Sequence, residues 1–501
     1  MFKDFTTEAI NAVMESSWQA FKIYKKVSLA QRADFMRRIA TEIGNLGDGL
    51  IELAMKETNL TAARLQIERD RTIQQLNSYA AFCESGQWLD VRIDMADVNR
   101  VPPKPDLRKM LVPLGPVVVF GAANFPFAYS TAGGDTACAF AAGCPVIVKA
   151  HPGHIATSEL VAKAIRRAAE SCGLPTGIFA HVYGASSSVG EALVKHPHSK
   201  AVGFTGSFAG GKQLFDWGNQ RGEPIPVFAE MSSVNPVFLL PEKLSSSAQE
   251  IAKMYAASIT LSVGQFCTNP GIIIGIDGDD LEKFVQLLSE EIHSIAPAAM
   301  LNSGIYKNYS EKRKLALSQH GVKIVMGDNQ NSPAGLESAG GGMMAGPTLA
   351  VSSAKDFMGN PLLQQEVFGP YSIIVRCADM NEMYAVAQNL QGQLTATLMA
   401  TENDILYNEV FVDTVQQICG RFILNGVPTG VEVCLAMQHG GPYPATTDSR
   451  FTSVGADGIR RFARPVTFQN WPDALLPLEL KHANPLRIWR TVNGELQKKE
   501  L

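Results

Sequence analysis

The strongest constraint on the fold is an alternation of short apolar runs with amphipathic helical segments, which begins near residue 113. The segment SELVAKAIRRAAESCG places its apolar residues on one helical face, and stop signals follow at Gly173 and Pro175. Strand-sized runs rich in Val, Ile and Phe stand around such segments, at 116–121, 144–150, 178–184, 201–206 and 226–230. Strands that alternate with helices in this way form doubly wound parallel sheets, so the sequence predicts an α/β fold.

The chain has 501 residues, which is too long for one hydrophobic core. The first 85 residues carry helical patterns without proline, whereas the stretch before residue 113 has short alternating runs broken by Pro102, Pro103 and Pro105. A second α/β pattern starts near residue 233. We therefore expect a first domain formed by residues 1–89 and 113–232 and a second domain formed by 233–445. Residues 90–112 and 462–501 should form a pair of peripheral segments.

Composition excludes several classes of function. A net charge of −4 with scattered Lys and Arg gives no basic field for nucleic acid or an anionic membrane. The N-terminus has early acidic residues and no continuous apolar core, so we expect no signal peptide, and no apolar run reaches bilayer-spanning length. The eight cysteines form no disulfide framework and no zinc-binding spacing. These patterns predict a cytoplasmic protein with reduced thiols and without a metal.

Two features at strand ends are typical of anion binding. The run FTGSFAGG contains Gly206, Ser207 and Gly211 between a strand and a helix, where backbone N–H groups can face a phosphate. An ordinary turn explains it equally well. Lys149 ends another strand and would project its ammonium at the carboxyl edge of the sheet, where α/β proteins bind ligands. The alternative is a solvated surface lysine.

Three residues could carry catalysis, and a fourth, Glu366, could bind a ligand. Cys267, in GQFCTNPG, is either a nucleophile or a packing thiol. Glu230 ends an apolar strand, where desolvation favours a general base, although a hydrogen-bonded strand-end carboxylate fits as well. Asn124 follows another strand and could hold an oxyanion or serve a turn. Glu366 lies in QEVFGP, which could also be an ordinary Gly-Pro loop.

Together these motifs resemble the NAD(P)-dependent aldehyde dehydrogenase superfamily. The set consists of NFP at Asn124, Lys149 after a strand, FTGS, Glu230, GQFC and EVFGP, in this order and at these separations. Within the superfamily the chain is most similar to the 2,5-dioxovalerate (α-ketoglutaric semialdehyde) dehydrogenase group. The runs that carry this second resemblance are 68–76, 300–309, 437–448 and 483–494.

The resemblance implies two doubly wound parallel-sheet domains plus a small β oligomerisation hairpin. The first domain would bind the dinucleotide, the second would carry the nucleophilic cysteine, and the peripheral segments would join a homodimer or homotetramer. The Cys267 thiolate would attack a small-molecule aldehyde, and the Asn124 amide with the Cys267 N–H would hold the thiohemiacetal oxyanion. After hydride transfer to nicotinamide, Glu230 would activate the water that hydrolyses the thioester.

The resemblance also implies the cofactor contacts. Lys149 would meet the ribose or phosphate region, and the turn of Gly206, Ser207 and Gly211 would lie by the pyrophosphate. Glu366 would hold the nicotinamide ribose, and Phe368 would pack near the ring.

NAD-preferring members usually carry a Glu three residues after the strand-end lysine, and here that position is Pro152. Lys149, His151 or His154 could attract a 2′-phosphate. We therefore expect NADP to be used at least as well as NAD. His439, in MQHGGP, could tune the thiolate or touch the cofactor, or be an ordinary loop residue.

The sequence leaves the aldehyde open. A dioxovalerate needs a cation for its distal carboxylate, and the available side chains are Arg69, Arg71, Arg313 and Arg421. An apolar pocket lined by residues such as Phe127 and Phe266 would instead favour fatty or broad-specificity aldehydes. Glu230 argues against a CoA-acylating relative. A catalytically silent structural protein on the same fold would have no chemical reason to keep the whole set of candidate residues.

Overall fold

The computed structural model describes residues 3–327 and 343–501. Its helices are α1 Thr7–Tyr24, α2 Leu29–Gly44, α3 Gly47–Thr58, α4 Ala62–Ser85, α5 Gly134–Ala142, α6 Ile155–Ser171, α7 Ser187–Lys195, α8 Phe208–Asn219, α9 Pro241–Thr260, α10 Asp279–His293, α11 Ser303–Leu317, α12 Ala354–Gly359, α13 Met380–Asn389, α14 Glu402–Leu406 and α15 Glu409–Gln417. In the described part of the chain, no helix has the length and apolar character needed to cross a bilayer.

The strands belong to three larger sheets and one small two-stranded sheet. They are β1 Arg92–Asp94, β2 Leu107–Pro113, β3 Val117–Phe120, β4 Val146–Lys149, β5 Phe179–Val182, β6 Ala201–Thr205, β7 Val227–Glu230, β8 Val237–Leu239, β9 Ile272–Ile276, β10 Ala298–Ala299, β11 Lys323–Met326, β12 Met344–Ala345, β13 Thr348–Ser353, β14 Tyr371–Cys377, β15 Gln393–Met399, β16 Cys419–Leu424, β17 Ala463–Gln469, β18 Arg490–Val492 and β19 Glu495–Gln497.

The first sheet is parallel, with strand order β5-β4-β3-β6-β7. Successive residues of β3 enter different hydrophobic clusters because side chains alternate along a strand. Val117 and Val119 pack with residues of α2, α4, α5 and α6, whereas Val118 packs with residues of α1, α7 and α8. Both faces are therefore covered by helices, which explains why the strands read as continuous apolar runs.

The second sheet has the order β11-β13-β14-β9-β8-β15-β16, and its strands are parallel except for β11 at one edge. It repeats the two-sided packing of the first sheet. Ile272 and Ile274 face one cluster, and Ile273 faces the other. The predicted α/β class with two doubly wound sheets is confirmed.

The third sheet joins segments that are far apart in sequence, in the order β17-β2-β1-β18-β19. Strands β1 and β2 form an antiparallel pair, and β17 pairs with β2 along its whole length. The two peripheral segments predicted at 90–112 and 462–501 thus meet in one sheet. Its role in oligomer assembly stays a prediction.

Helix α4 positions one wall of the candidate site. It begins after Thr61, whose side chain accepts a hydrogen bond from the Arg64 N–H, and it ends at Gly86 in the left-handed conformation (φ 67°). Its buried residue Glu68 accepts hydrogen bonds from the N–H groups of Phe127 and Ala128 at 2.8 and 3.0 Å. The helix is thereby fixed to the segment that follows Asn124.

Candidate active site

The residue Cys267 follows a backbone turn in which three consecutive residues are left-handed. Ser262, Val263 and Gly264 have φ of 50°, 59° and 62°. A Cβ at Gly264 would lie 2.3 Å from the carbonyl oxygen of Gly369, so only glycine fits there. A β-branched valine in this region is strained, and such strain concentrates at functional sites.

A buried asparagine that the sequence analysis missed holds the loop. The Asn235 side chain donates to the carbonyl oxygens of Cys267 and Asn269, both at 2.9 Å. Its own oxygen accepts from the hydroxyls of Ser233 and Thr395 at 3.0 Å. The only local signal in the sequence is an asparagine directly before Pro236, which is also a common turn pattern. The partners come from distant strands, so spacing could not reveal them.

The nucleophile candidate, the base candidate and His439 meet in one cluster. His439 Nε2 lies 3.6 Å from Cys267 Sγ and 3.0 Å from Glu230 Oε1. The other carboxylate oxygen of Glu230 accepts a hydrogen bond from the hydroxyl of Ser453. The Cys267 sulfur, a carboxylate oxygen of Glu230 and a ring nitrogen of His439 all lie within 4.8 Å of one another. The three groups therefore contact one another, since a side-chain hydrogen bond also joins Cys267 and Glu230 directly, and sequence reasoning had not identified this mutual contact.

The pKa values of Cys267 and Glu230 are shifted in opposite directions within this cluster. Burial, followed by the negative charge of Glu230, raises the pKa of the Cys267 thiol, against a smaller lowering effect of Arg421. Burial also acts to raise the pKa of Glu230, but His439 and the hydrogen bond from Ser453 outweigh it and hold that pKa below its usual value. The resting pair is a neutral thiol beside an ionised carboxylate.

The amide of Asn124 lies against the cysteine loop. Its Nδ2 donates to the carbonyl oxygen of Gln265 at 3.1 Å, and the Gln265 side chain accepts from the N–H of Leu301 at 2.9 Å. An amide nitrogen carries two protons. One proton of Asn124 is used for the loop, which leaves the second for a ligand.

The strand-end residues around Lys149 form a partly buried, weakly charged corner. Burial lowers the pKa of Lys149, and burial with the nearby His154 and Lys149 lowers the pKa of His151 to about 3. His151 is therefore neutral at pH 7 and can act on an anion only through a hydrogen bond. His154 is buried, with Nε2 2.8 Å from the carbonyl oxygen of Ala122, so of the three side chains that could attract a phosphate it is already engaged with the backbone.

The turn before α8 places Ser207 at the helix N-cap, where its hydroxyl accepts from the Gly210 N–H at 3.3 Å. Its two predicted glycines are explained by packing. A Cβ at Gly206 would lie 2.7 Å from the ring of Phe204, and one at Gly211 would lie 2.5 Å from Met231. The helix can therefore approach the sheet closely, with its N-terminus at the carboxyl edge.

Glu366 and Phe368 line the same cleft as Phe266, the residue before Cys267. Burial raises the pKa of Glu366 to about 7, although a hydrogen bond with Ser232 opposes this. The backbone carbonyl of Glu366 accepts from Lys312 Nζ at 3.1 Å. The structure thus brings the downstream motif to the nucleophile, about a hundred residues away in sequence.

The aromatic wall of the site differs from the predicted one. Phe127 is buried in the hydrophobic core, so its expected place in a substrate pocket is wrong. Phe125, which is also buried, packs beside the cysteine loop, with its ring centroid 5.4 Å from that of Phe266 and 5.0 Å from that of Tyr129. The Arg64 guanidinium lies 4.4 Å from the Phe125 ring centroid.

The four candidate arginines lie in different environments. Arg69 contacts the exposed Asp70 at 3.2 Å, and Arg313 donates to Thr348 at 2.7 Å. Arg71 donates to the hydroxyl of Tyr129 at 3.4 Å. Arg421 donates to the carbonyl oxygens of two residues in the loop after β16, Pro428 and Gly430.

Two largely parallel sheets covered by helices, together with a cluster of thiol, imidazole and carboxylate groups, are the features of an α/β enzyme with a candidate cysteine nucleophile. The aldehyde dehydrogenase family model matches residues 1–442, and the chain belongs to this family. The family predicted from the motifs is confirmed.

Two bacterial members of the family are similar to this chain over nearly its whole length. The chain is 47% identical over 489 residues to α-ketoglutaric semialdehyde dehydrogenase 2 of Azospirillum brasilense, covering 97% of this chain and 92% of the relative. It is 44% identical over 497 residues to the α-ketoglutaric semialdehyde dehydrogenase of Acinetobacter baylyi, covering 99% and 93%. The fold is similar to that of a 1-pyrroline-5-carboxylate dehydrogenase from Thermus with bound NAD, with a TM-score of 0.77 at 19% identity, over 93% of this chain and 86% of that one.

Proposed function

We propose that this protein oxidises α-ketoglutaric semialdehyde (2,5-dioxovalerate) to 2-oxoglutarate with a nicotinamide cofactor. The observation that carries the chemistry is the cluster of Cys267, His439 and Glu230. The names and full-length similarity of the two bacterial relatives support the substrate.

The first step is loss of the thiol proton. Because burial and the charge of Glu230 raise the pKa of Cys267, the thiolate needs a proton acceptor in direct reach. His439 Nε2 lies 3.6 Å from the sulfur and can take the proton, while Glu230 stabilises the imidazolium from 3.0 Å. The thiolate then attacks the aldehyde carbon and forms a thiohemiacetal.

The oxyanion of that intermediate requires donors beside the sulfur. The Cys267 backbone N–H and the second proton of the Asn124 amide fill this role in the proposal. Asn235 acts through the loop, since its hydrogen bonds fix the carbonyl groups of Cys267 and Asn269. Fixed donors cost no reorganisation when charge develops.

The residues around the cleft fit a nicotinamide dinucleotide. Lys149 is partly buried and forms no carboxylate ion pair within the described residues, so an anionic group would satisfy it. Ser207 with the α8 N-terminus would hold the pyrophosphate, Glu366 the ribose hydroxyls, and Phe368 would flank the ring. When bound, the cofactor supplies the hydride acceptor for thiohemiacetal oxidation.

Hydrolysis of the resulting thioester needs an ionised base. The lowered pKa of Glu230 keeps its carboxylate charged at neutral pH, and Ser453 and His439 orient it. Glu230 would take a proton from the attacking water, and the Cys267 thiolate would leave.

We further propose that NADP is used at least as well as NAD. Pro152 occupies the position where a carboxylate would repel a 2′-phosphate, and Lys149 supplies positive charge nearby. Comparison of kcat/KM for the two cofactors tests this, and a strong preference for NAD would overturn it.

We also propose a homo-oligomer. Large apolar side chains are exposed near the third sheet: Leu475, Leu478, Trp489 and Leu496. An edge strand such as β19 is stabilised when another chain covers it. Light scattering on the purified protein would distinguish monomer, dimer and tetramer.

The decisive experiment is an aldehyde panel followed by NAD(P)H absorbance, with Cys267→Ala as the inactive control. We expect the highest kcat/KM with α-ketoglutaric semialdehyde. A preference for long-chain aldehydes would instead support the broad-specificity alternative, which the apolar wall of Phe125 and Phe266 favours.

A further inference from the structure

If the protein has the proposed function, its site must also recognise the end of the substrate that lies opposite the aldehyde. The proposed substrate, α-ketoglutaric semialdehyde, carries a carboxylate at the end opposite its aldehyde carbon. The thiol side of the site is negative, since Glu230 is ionised there. A cation on the other side of the cleft is therefore required to bind such a substrate with its aldehyde at Cys267.

A continuous set of contacts leads from the nucleophile to helix α4. His439 lies 3.6 Å from the Cys267 sulfur, and the ring centroids of His439 and Tyr129 are 6.5 Å apart. The Tyr129 hydroxyl accepts from Arg71 at 3.4 Å. Tyr129 thus links the Arg71 guanidinium to the cluster of Cys267, His439 and Glu230.

Arg71 differs from its neighbours on α4 in having no internal counter-ion. Arg64 contacts Glu68 at 2.9 Å, and Arg69 contacts Asp70 at 3.2 Å. Within residues 3–327 and 343–501, Arg71 forms no ion pair, and its buried Nε has no hydrogen-bond partner. A half-buried guanidinium without an anion is costly unless a ligand supplies one.

Tyr129 adds a second donor at the same place. Burial raises its pKa, so the phenol keeps its proton at neutral pH. Because Tyr129 accepts from Arg71, its own proton is directed elsewhere, and no acceptor for it lies among the described residues. A guanidinium and a phenol side by side form a receptor for a carboxylate.

We propose that Arg71 and Tyr129 bind the distal carboxylate of the aldehyde substrate. The other candidate arginines are less suitable. Arg69 and Arg313 have partners on Asp70 and Thr348. Arg421, like Arg71, has no ion pair within the described residues and a buried Nε without a partner, but both of its terminal nitrogens donate to backbone carbonyls. Arg71 is therefore the residue that makes the site selective for carboxylated aldehydes.

The test uses matched substrates and matched variants. Wild-type kcat/KM is measured for α-ketoglutaric semialdehyde and for its methyl ester, which has the same chain but no charge. We expect a preference for the acid of about 10- to 100-fold, as for one charge-assisted contact. Arg71→Gln should reduce the preference to near unity, mainly through KM for the acid, whereas Arg71→Lys should retain part of it.

Arg69→Gln is the control, because it removes the neighbouring charge on the same helix but should leave the acid-to-ester ratio unchanged. If wild type oxidises neither compound, the proposed function fails. If wild type prefers the acid and Arg71→Gln keeps that preference, or only Arg421→Gln removes it, the function stands and this inference is wrong. Should Arg71→Gln not fold, the Arg71→Lys and Tyr129→Phe ratios decide: both unchanged would overturn the proposal.

Discussion

Replacing Asn235 by glycine should loosen the cysteine loop and slow catalysis. Glycine tolerates the left-handed backbone at this position (φ 47°), so the change removes the side-chain contacts without adding backbone strain. The carbonyl oxygens of Cys267 and Asn269 each lose a donor that lies 2.9 Å away. Leaving a buried acceptor unsatisfied costs about 1–3 kcal/mol, so two of them predict a loss of about 2–6 kcal/mol in stability.

The catalytic effect follows from position. A small displacement of the Cys267 sulfur and N–H from the reacting carbon lowers kcat by about 10- to 100-fold. The matched control is Asn425→Gly, because Asn425 is also left-handed (φ 53°) and bonds the backbone of Ala400 at 2.8 and 2.9 Å. Thermal unfolding and pre-steady-state NAD(P)H formation are measured on both variants.

We expect both variants to unfold at lower temperature, and only Asn235→Gly to lose the rapid first turnover per folded site. A variant Asn235→Gly with a lowered melting temperature and a wild-type first turnover would refute the reasoning. The network would then stabilise the fold without positioning the nucleophile.

The electrostatics of the site give three further predictions. Because the pKa of Glu366 is raised to about 7, its carboxylate ionises between about pH 6 and pH 8. The cofactor KM should fall over this range, since the ionised carboxylate is the stronger hydrogen-bond acceptor. Glu366→Gln should make the cofactor KM independent of pH over this range, and a pH dependence retained in that variant would contradict the assignment. Glu230→Gln should keep a first equivalent of NAD(P)H but lose steady-state turnover by about 10²- to 10⁴-fold, since thioester hydrolysis loses its base. The same variant removes a charge that raises the pKa of Cys267, so alkylation of this thiol should shift to lower pH, with Cys267→Ala as the background; an unchanged alkylation profile would refute the electrostatic coupling.

Much of the fold was readable because it depends on local patterns. The two-sided apolar strands, the helix faces and the stop signal at Gly86 are set by neighbours in the chain. The candidate residues Cys267, Glu230, Asn124 and Glu366 were found as a set through motif order. Their mutual distances were not available, because each lies on a different loop or strand end.

The errors have the same origin. Phe127 is a candidate for an apolar pocket and His154 for a phosphate contact, yet both are buried, because the orientation of a side chain in a turn depends on what packs against it. The glycines of the FTGSFAGG turn were read as phosphate contacts, and the structure adds a packing reason at Phe204 and Met231. Local sequence does not contain these partners.

The sequence by itself determined the α/β class and the family, and it singled out Cys267 as the candidate nucleophile, since periodicity and motif order are properties of a linear chain. Only the tertiary structure decided that His439 contacts both Cys267 and Glu230, that Asn235 holds the loop of Cys267, and that Arg71 has no counter-ion among the residues the structure describes. The physical reason is that protonation, hydrogen bonding and desolvation depend on distances of a few ångströms between residues separated by tens to hundreds of positions.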